Sequence, residues 1–357
     1  MQETRLDRLR VVMAEQGLTA LLITNATNRQ YITGFTGSAG YVLITEDEAF
    51  LLTDFRYMAQ APAQAAGFQV IEHAPKAMET VRDLLLKHRL SNVGFEQFDM
   101  SYGSYLSTAE ALQGIELIPS GGLVERLRMV KDDRELAIMQ EAADLADRTF
   151  THILPFLKPG AVERDIALEI EIFVRKHGAA STSFDTIVAS GERSALPHGV
   201  ASDRVMQNNE FVKLDYGAYY KSYCSDITRT VVLGQPTDKH KEIYNIVLEA
   251  QQTALDQIKP GMTGQQADAI ARDVIKRYGY YEYFGHGLGH GLGLEIHEAP
   301  RLSMHGDVVL TPGMTVTVEP GVYLPEFGGV RIEDDIVITD SGNRRLTHSS
   351  KDLIVLD

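Results

Sequence analysis

The segment FVKLDYGAYYKSYCSDITRT, residues 211–230, decides how the surrounding chain folds. It begins as an apolar strand that ends at Asp215, passes through a turn rich in Gly, Tyr and Ser, and returns through Asp226 into a second strand. The pattern predicts a hairpin whose two carboxylates, eleven positions apart, face each other. Facing carboxylates repel, so such a pair usually shares a proton or holds a cation, although Asp is also common in ordinary turns.

The composition is typical of a globular protein with a sizeable core. The chain has 357 residues, 44% of them hydrophobic and 23% charged, which is enough for two or three domains. A net charge of -15 argues against a nucleic-acid partner, because phosphate binding needs clustered Lys and Arg. The single cysteine, Cys224, excludes an internal disulfide and a thiolate metal cage.

The sequence indicates neither a signal peptide nor a membrane span. The charged start MQETRLDRLR has no apolar signal-peptide core. No apolar run reaches the roughly 18 residues that a membrane span needs. We therefore expect a cytoplasmic protein with no membrane partner.

The first part of the chain predicts a small α/β domain. Apolar runs indicate strands at 20–23, 41–44 and 49–52. Helical patterns lie before and after these runs. This part of the sequence offers no cluster of residues typical of a metal site or a catalytic nucleophile. The segment IPSGG, 118–122, punctuates the chain, so we expect domains at 1–122 and 123–357.

The C-terminal part contains an internal duplication. A pair of helices with the tripeptide LysProGly between them recurs 101 residues later. Each pair is followed by an apolar strand that ends in an acid, first Asp215 and then Glu319. A return strand then brings a second acid, first Asp226 and then Glu333. The repeat is too long for a solenoid and indicates one domain of two related halves, each with an antiparallel sheet and helices packed outside.

Four carboxylates in one site need positive charge, and oxygen ligands favour a hard or borderline divalent ion. The Gly-rich segment 286–300 offers nitrogen ligands at His286, His290 and His297. The spacing of the first two resembles a helical zinc pair, but the glycines oppose a helix and the glutamate of that motif is missing. We therefore predict one histidine ligand and two histidines that face the substrate.

The predicted ligands are Asp215, Asp226, His290, Glu319 and Glu333. Such a set suits two metal ions about 3.5–4 Å apart that share bridging carboxylates. His198, seventeen residues before Asp215, is a further candidate for the cleft, with a loop-capping role as an equal alternative.

These residues lie in motifs that resemble a known metallopeptidase family. The motifs are LDYG, SDITRT, GHGLG, VEPG and RIED. In order and spacing they are similar to the family that contains methionine aminopeptidase, aminopeptidase P and prolidase, whose fold is called pita-bread. The likeness covers the chain from about residue 125 onward, and the preceding part resembles the creatinase/prolidase N-terminal domain. The resemblance implies an α/β (α+β) protein: a small creatinase-like domain and a pita-bread domain with pseudo-two-fold duplication.

The resemblance also implies a role for each ligand. Asp215 would chelate one metal ion, His290 and Glu319 the other, and Asp226 and Glu333 would bridge the two. Glu319 would also move a proton to the leaving nitrogen. The family uses manganese, cobalt or zinc, and we expect two divalent ions per chain with manganese first.

Other side chains are implied to contact the substrate or to support the ligands: His198, His286, His297, Tyr323 and Arg331. Among them, His297 would stabilise the tetrahedral intermediate and His198 would hold the substrate. Arg301, eleven residues past His290, is our own candidate for the free carboxylate of a dipeptide, since a guanidinium can bind it through two parallel hydrogen bonds. A solvated loop arginine is an equal alternative.

The activity implied is hydrolysis of Xaa-Pro dipeptides by a hydroxide held between two metal ions, as in prolidase. Aminopeptidase P, which acts on longer Xaa-Pro peptides, is the alternative. Methionine aminopeptidase usually lacks the N-terminal domain, while creatinase and the non-enzymatic binding modules of this fold lack the ligands that this chain keeps. The two-domain layout also implies a homodimer.

Overall fold

The computed structural model describes residues 4–357 and divides the chain into two compact units, one ending at Arg128 and one beginning at Met129. We expected the boundary after Gly122. That position is followed by a helix, Leu123–Arg128, which still belongs to the first unit. The helix buries Leu123 against that unit, and the Arg128 guanidinium donates a 2.8 Å hydrogen bond to Asn28. In the described range, no helix is both long and apolar enough to cross a bilayer.

The N-terminal unit is a mixed sheet with helices packed against it. The strands are β1 (Ala20–Ile23), β2 (Tyr41–Thr45), β3 (Ala49–Thr53), β4 (Gln69–Glu72), β5 (Asn92–Glu96) and β6 (Glu116–Ser120). The helices are α1 (Arg5–Glu15), α2 (Ala26–Thr33), α3 (Ala61–Gln64), α4 (Ala77–Lys87), α5 (Tyr102–Ala111) and α6 (Leu123–Arg128). The strands lie in the order β4-β3-β2-β1-β5-β6, and β2 is antiparallel to both of its neighbours. A buried apolar cluster joins this sheet to α4, which confirms the predicted α/β domain.

The C-terminal unit contains two helix pairs and several sheets. The helices are α7 (Asp133–Ile153), α8 (Glu163–Lys176), α9 (Asp238–Gln257) and α10 (Gly264–Arg277). The first group of strands is β7 (Ser181–Thr182), β8 (Ile187–Ser190), β9 (Glu210–Tyr216), β10 (Ala218–Tyr220), β11 (Tyr223–Cys224) and β12 (Ile227–Leu233). The second group is β13 (Gly289–Gly291), β14 (Glu298–Leu302), β15 (Thr315–Val318), β16 (Gly321–Leu324), β17 (Gly328–Arg331), β18 (Asp334–Ile338), β19 (Asn343–Arg345) and β20 (Val355–Leu356). Short 3-10 helices lie at Phe55–Tyr57 in the N-terminal unit and at Leu154–Phe156, Gly191–Ala195 and Tyr281–Tyr283 in the C-terminal unit.

The start of α7 is fixed by its own sequence. The Asp132 carboxylate accepts a 2.8 Å hydrogen bond from the Glu135 amide, and the Glu135 carboxylate accepts one of 2.9 Å from the Asp132 amide. This reciprocal capping satisfies two amides that the helix leaves without internal partners. Asp132 is therefore the N-cap of α7. Helix α10 begins with the same device at Thr263 and Gln266.

The predicted duplication is present as two sheets, each with its own helix pair. One sheet has the order β20-β12-β9-β8 and shares an apolar core with α7 and α8. The other has the order β14-β13-β15-β18-β19 and shares a core with α9 and α10. The pita-bread architecture implied by the motifs is therefore confirmed.

Alternation along β9 determines which side chains face the site. Val212 and Leu214 pack into the core with α7 and α8, so Lys213 and Asp215 point to the opposite face of the sheet. On that face the two halves meet, because the Glu333 amide donates a 3.1 Å hydrogen bond to the carbonyl of Thr228 in β12. The acids of the second half thereby lie beside those of the first.

Candidate active site

A cleft of about 500 Å³ in the C-terminal unit collects most of the predicted site residues. Its charged and imidazole lining includes His198, Asp215, Asp226, His286, His290, His297, Arg301, Glu319, Arg331 and Glu333. Tyr323 lies behind this lining, where its hydroxyl is 2.8 Å from His286 Nε2 and 2.7 Å from Arg331 Nη1. The structure therefore brings together side chains that are up to 135 positions apart in the sequence, from His198 to Glu333.

The first two acids come from the predicted hairpin. Asp215 lies in β9 directly opposite Thr228 of β12, and Asp226 immediately precedes β12. The Asp226 amide donates a 2.8 Å hydrogen bond to the carboxylate of Asp335 in β18. The hairpin is thus tied to the second half at the position where its carboxylates point into the cleft.

The short strand β13 brings His290 close to the backbone of its neighbours. A Cβ on Gly289 would lie 2.0 Å from the Thr317 carbonyl oxygen, and one on Gly291 would lie 2.1 Å from that of Ala299. Only glycine fits at both flanking positions. Because glycine has no side chain, β13 can approach the backbone of its neighbours this closely. This explains the glycines around His290 that argued against a helix in the sequence.

The His290 ring presents its free lone pair to the acids. Its Nδ1 is 3.1 Å from the Gly291 carbonyl oxygen, which can only accept, so Nδ1 carries the proton. Burial lowers the pKa of His290 to about 4, so the ring is neutral and Nε2 is unprotonated. Nε2 lies 3.3 Å from Glu319 Oε1 and 3.8 Å from Asp226 Oδ2. This is the tautomer that a metal-binding imidazole requires.

The acids and His290 fit a divalent cation. One ligand atom each from Asp226, His290 and Glu333 lie within 4.8 Å of one another. Four buried carboxylate oxygens make no hydrogen bond to any residue in the described part of the chain: Asp215 Oδ1, Asp226 Oδ1, Glu333 Oε1 and Asp335 Oδ1. Burial and then the neighbouring carboxylates raise the pKa of Asp226 and Glu333 well above the ordinary range. Oxygen-rich ligands of this kind suit hard or borderline ions, so the residues present fit the implied metal.

Arg331 supplies a fixed positive charge at the rear of the cleft. Its Nη2 donates to Asp215 Oδ2, its Nε donates to the Thr228 hydroxyl at 3.1 Å, and its Nη1 donates to the Pro197 carbonyl at 3.1 Å. The guanidinium is enclosed, and its burial lowers its pKa, but Tyr323 and the carboxylates of Asp215, Glu319 and Glu333 outweigh this and hold the pKa well above its ordinary value. Arg331 therefore compensates Asp215 in part, while the remaining acids still need a cation.

His286 and Tyr323 orient that guanidinium. His286 Nδ1 lies 2.8 Å from the Gly287 carbonyl and carries a proton, so its Nε2 accepts from the Tyr323 hydroxyl. The Tyr323 oxygen can then accept from Arg331 Nη1. Burial, followed by the charge of Arg331, lowers the pKa of His286 to about 3, which keeps this ring neutral. His286 thus acts through Tyr323 and Arg331 on Asp215.

The other predicted contacts line the mouth of the cleft. His198 and His297 are exposed, and the His297 ring lies edge-on to His290 with centroids 4.5 Å apart. Arg301 is exposed in β14, directly opposite His290 of β13 in the strand register. Directly opposed residues project from the same face of a sheet, which brings the guanidinium to the face that carries His290. Apolar lining beside them comes from Phe184, Ile187, Pro197, Val200 and Ile296.

Two buried residues at this site were missed in the sequence. Asp335 is fully enclosed beside Asp226, and burial raises its pKa well above the ordinary range. It follows the predicted ligand Glu333 by two positions, and this spacing was an available signal. Lys213, two positions before Asp215, is completely buried. Its sequence signal was a single lysine within an otherwise apolar strand.

Comparison with known proteins agrees with this arrangement. Residues 137–340 match the model of metallopeptidase family M24, and residues 5–130 match that of the creatinase/prolidase N-terminal domain. The chain is 41% identical over 347 residues to an Xaa-Pro dipeptidase of Pyrococcus horikoshii, with 96% of each chain covered.

Solved structures give the same result. The structure of an Xaa-Pro dipeptidase from Bacillus anthracis has a TM-score of 0.97 and 53% identity, with 99% of each chain covered. That of an X-Pro aminopeptidase from Thermotoga maritima has a TM-score of 0.91 and 38% identity, covering 98% of this chain and 100% of the other. This chain therefore belongs to metallopeptidase family M24 and carries a creatinase/prolidase N-terminal domain.

Proposed function

We propose that this chain is a metal-dependent Xaa-Pro dipeptidase, a prolidase, that acts on short proline-containing peptides. The observation that carries the proposal is the buried cluster of Asp226, His290 and Glu333, which opens into a cleft with Arg301 at its mouth. The names of the similar dipeptidases from Pyrococcus horikoshii and Bacillus anthracis support the same activity.

The proposed cofactor is a pair of divalent ions, with manganese first and cobalt or zinc as alternatives. Asp215, Asp226, His290, Glu319 and Glu333 would hold them, which is supported by the unpartnered carboxylate oxygens and the free Nε2 of His290. When bound, such ions supply a nucleophile at neutral pH and polarise the scissile carbonyl. The remaining chemistry belongs to side chains of this chain.

Glu319 is the proposed proton carrier. Burial raises its pKa to about 7, against the opposing charge of Arg331, so the carboxyl can gain or lose a proton near neutral pH. The Thr317 hydroxyl donates a 2.9 Å hydrogen bond to Glu319 Oε1 and orients the group. The proline nitrogen has no hydrogen of its own and must receive one to leave, and Glu319 would deliver it.

The substrate contacts follow from the chemistry of an Xaa-Pro dipeptide. The proline ring suits the apolar lining, and the free carboxylate suits a bidentate contact with Arg301. His297, beside His290, would stabilise the tetrahedral intermediate, and His198 would hold the substrate across the cleft. A longer peptide presents a neutral amide at the position of the carboxylate, which leaves the guanidinium unpaired.

The alternative is an aminopeptidase P activity on Xaa-Pro-Yaa peptides, favoured by the 38% identity to the Thermotoga maritima X-Pro aminopeptidase. The two readings are separated by comparing kcat/KM for Xaa-Pro and Xaa-Pro-Yaa peptides with added manganese, cobalt or zinc. We expect the dipeptide to be favoured tenfold or more, roughly 1.4 kcal/mol in the transition state. Faster cleavage of the tripeptide assigns the chain to aminopeptidase P.

The role of Arg301 is tested in the same assay. Arg301→Ala should raise KM for the dipeptide and leave slow tripeptide cleavage nearly unchanged, because only the dipeptide offers a carboxylate there. Arg148→Ala, an exposed arginine of α7, is the matched control. Equal losses on both substrates contradict carboxylate binding by Arg301.

We also propose a homodimer in the cytoplasm. The dimer is supported by the two-domain layout that this chain shares with its family, and the location by its single cysteine, which suits a reducing compartment.

A further inference from the structure

Lys213 is a buried lysine that the proposed chemistry does not use. Its side chain is fully enclosed in β9, between core residues Val212 and Leu214. Alternation along the strand directs it to the same face as Asp215, towards the rear of the cleft. Its ammonium lies 5.0 Å from the centre of the Tyr323 ring.

The Lys213 ammonium is bound to one short stretch of backbone. Nζ donates to the carbonyl of Leu196 at 2.6 Å and to that of Ser194 at 3.1 Å, with a longer contact of 3.5 Å to that of Pro197. The Pro197 carbonyl also accepts from Arg331 Nη1 at 3.1 Å. Two buried basic side chains, Lys213 and Arg331, therefore hold segment 194–197, which leads directly into His198.

This arrangement determines the path of the backbone before His198. Three carbonyls that converge on one point repel each other and lose contact with water, unless a donor lies between them. Burial and then the charge of Arg331 lower the pKa of Lys213 well below its ordinary value, and the amino group keeps at least two N–H donors in either protonation state, so it suits this position. The His198 imidazole is exposed and lines the cleft, so its position depends on where the backbone of segment 194–197 places its Cα.

We propose that Lys213 is a positioning residue that holds segment 194–197 and thereby places His198 against the substrate. The inference rests on the proposed function, because the contact of His198 with substrate belongs to that proposal. Lys213 touches no substrate and acts through His198.

The test is a double-mutant cycle on the full-length, metal-loaded enzyme. Lys213→Met, His198→Ala and the double variant are compared with wild type on an Xaa-Pro dipeptide. Lys221→Met serves as the control, since Lys221 is an exposed lysine paired with Glu141. We expect Lys213→Met to lower kcat/KM about tenfold, mainly through KM, because displaced contact groups lose their alignment with substrate. In the His198→Ala background the same change should have almost no further effect.

Two results overturn the proposal. One is an equal loss of kcat/KM from Lys213→Met with and without His198, which means that Lys213 acts elsewhere. The other is loss of bound metal in Lys213→Met, measured by elemental analysis, which means that Lys213 acts through its neighbour Asp215. Unchanged metal content with a coupled loss supports the positioning role.

A second variant covers the case in which Lys213→Met does not fold. Lys213→Gln keeps two N–H donors, and its smaller loss should likewise disappear in the His198→Ala background. If the wild type cleaves no Xaa-Pro peptide, the proposed function fails, and Lys213 is then judged from a crystal structure of the variant that folds. In that structure a displaced Pro197–His198 backbone supports the inference, and an unmoved one overturns it.

Discussion

Replacing Glu319 by glutamine should stabilise the metal-free protein while it impairs the enzyme. The Glu319 side chain is only 16% exposed, and it lies 3.3 Å from His290 and 4.0 Å from Arg331. Burial raises its pKa from an ordinary value of 4.5 to about 7. Glutamine has nearly the same shape, can keep the hydrogen bond from Thr317, and never becomes charged.

The sign of the effect follows from proton linkage. Below pH 4.5 the carboxyl is protonated in both the folded and the unfolded chain. Between pH 4.5 and about 7 the folded protein keeps a proton that the unfolded chain has lost, so the free energy of unfolding falls as pH rises. At about 1.4 kcal/mol per pH unit, the full interval corresponds to a loss of roughly 3 kcal/mol, complete above pH 7. The Glu319→Gln variant lacks this loss.

The assay is guanidinium unfolding in the presence of a chelator, at a series of pH values from 4.5 to 8. The stability of Glu319→Gln relative to wild type should rise by roughly 3 kcal/mol across this range. Glu282→Gln, which changes an exposed carboxylate, should shift stability by about 0.5 kcal/mol or less at every pH. A difference between Glu319→Gln and wild type that does not change with pH refutes the reasoning.

Three further outcomes are expected. Chelation should abolish activity, and a divalent ion should restore it. Metal analysis should approach two ions per chain. Full activity in an exhaustively metal-free sample excludes the metal site. With saturating metal, Glu319→Gln should lower kcat by about 10²–10⁴-fold, and a near-normal kcat removes the proton-carrying role. Light scattering at micromolar concentration should give twice the 39.6 kDa chain mass, and a monomer mass contradicts the dimer.

The fold could be predicted because its signals are local or repeated. Residues 132–135 contain all the groups that form the cap at Asp132. A strand–turn–strand pattern in the sequence indicates the hairpin around Asp215 and Asp226. The repeat of helix pairs and acids predicted two similar halves. The boundary predicted after Gly122 is too early. The Gly-rich turn there marks only the end of β6, while burial of Leu123 keeps α6 with the first unit.

The contacts between the halves could not be predicted in the same way. The role of Lys213 could not be predicted from the sequence, where it is only a lysine within an apolar strand. Its acceptors are backbone carbonyls of segment 194–197, and backbone carbonyls carry no sequence signal. Asp335 becomes part of the site only because the Asp226 amide reaches it across 109 positions of sequence. The protonated nitrogen of His290 depends on one carbonyl that the local backbone turns towards the ring. Such features follow from tertiary packing and are visible only in three dimensions.

The charge balance of the cleft explains why a fold would keep so many buried acids together. Arg331 contacts one oxygen of Asp215, and the amino group of Lys213 donates to carbonyls of segment 194–197. Within the part of the chain that the structure describes, neither basic side chain contacts the unpartnered oxygens of Asp226, Glu333 and Asp335. Apolar residues of similar size would be more stable at these positions if no cation were ever bound. A divalent ion reverses this balance, because it binds the folded site and adds its binding free energy to stability. The same acids that weaken the metal-free protein as pH rises would therefore bind a divalent ion more tightly as pH rises, since the ion must displace the protons that these carboxyls carry.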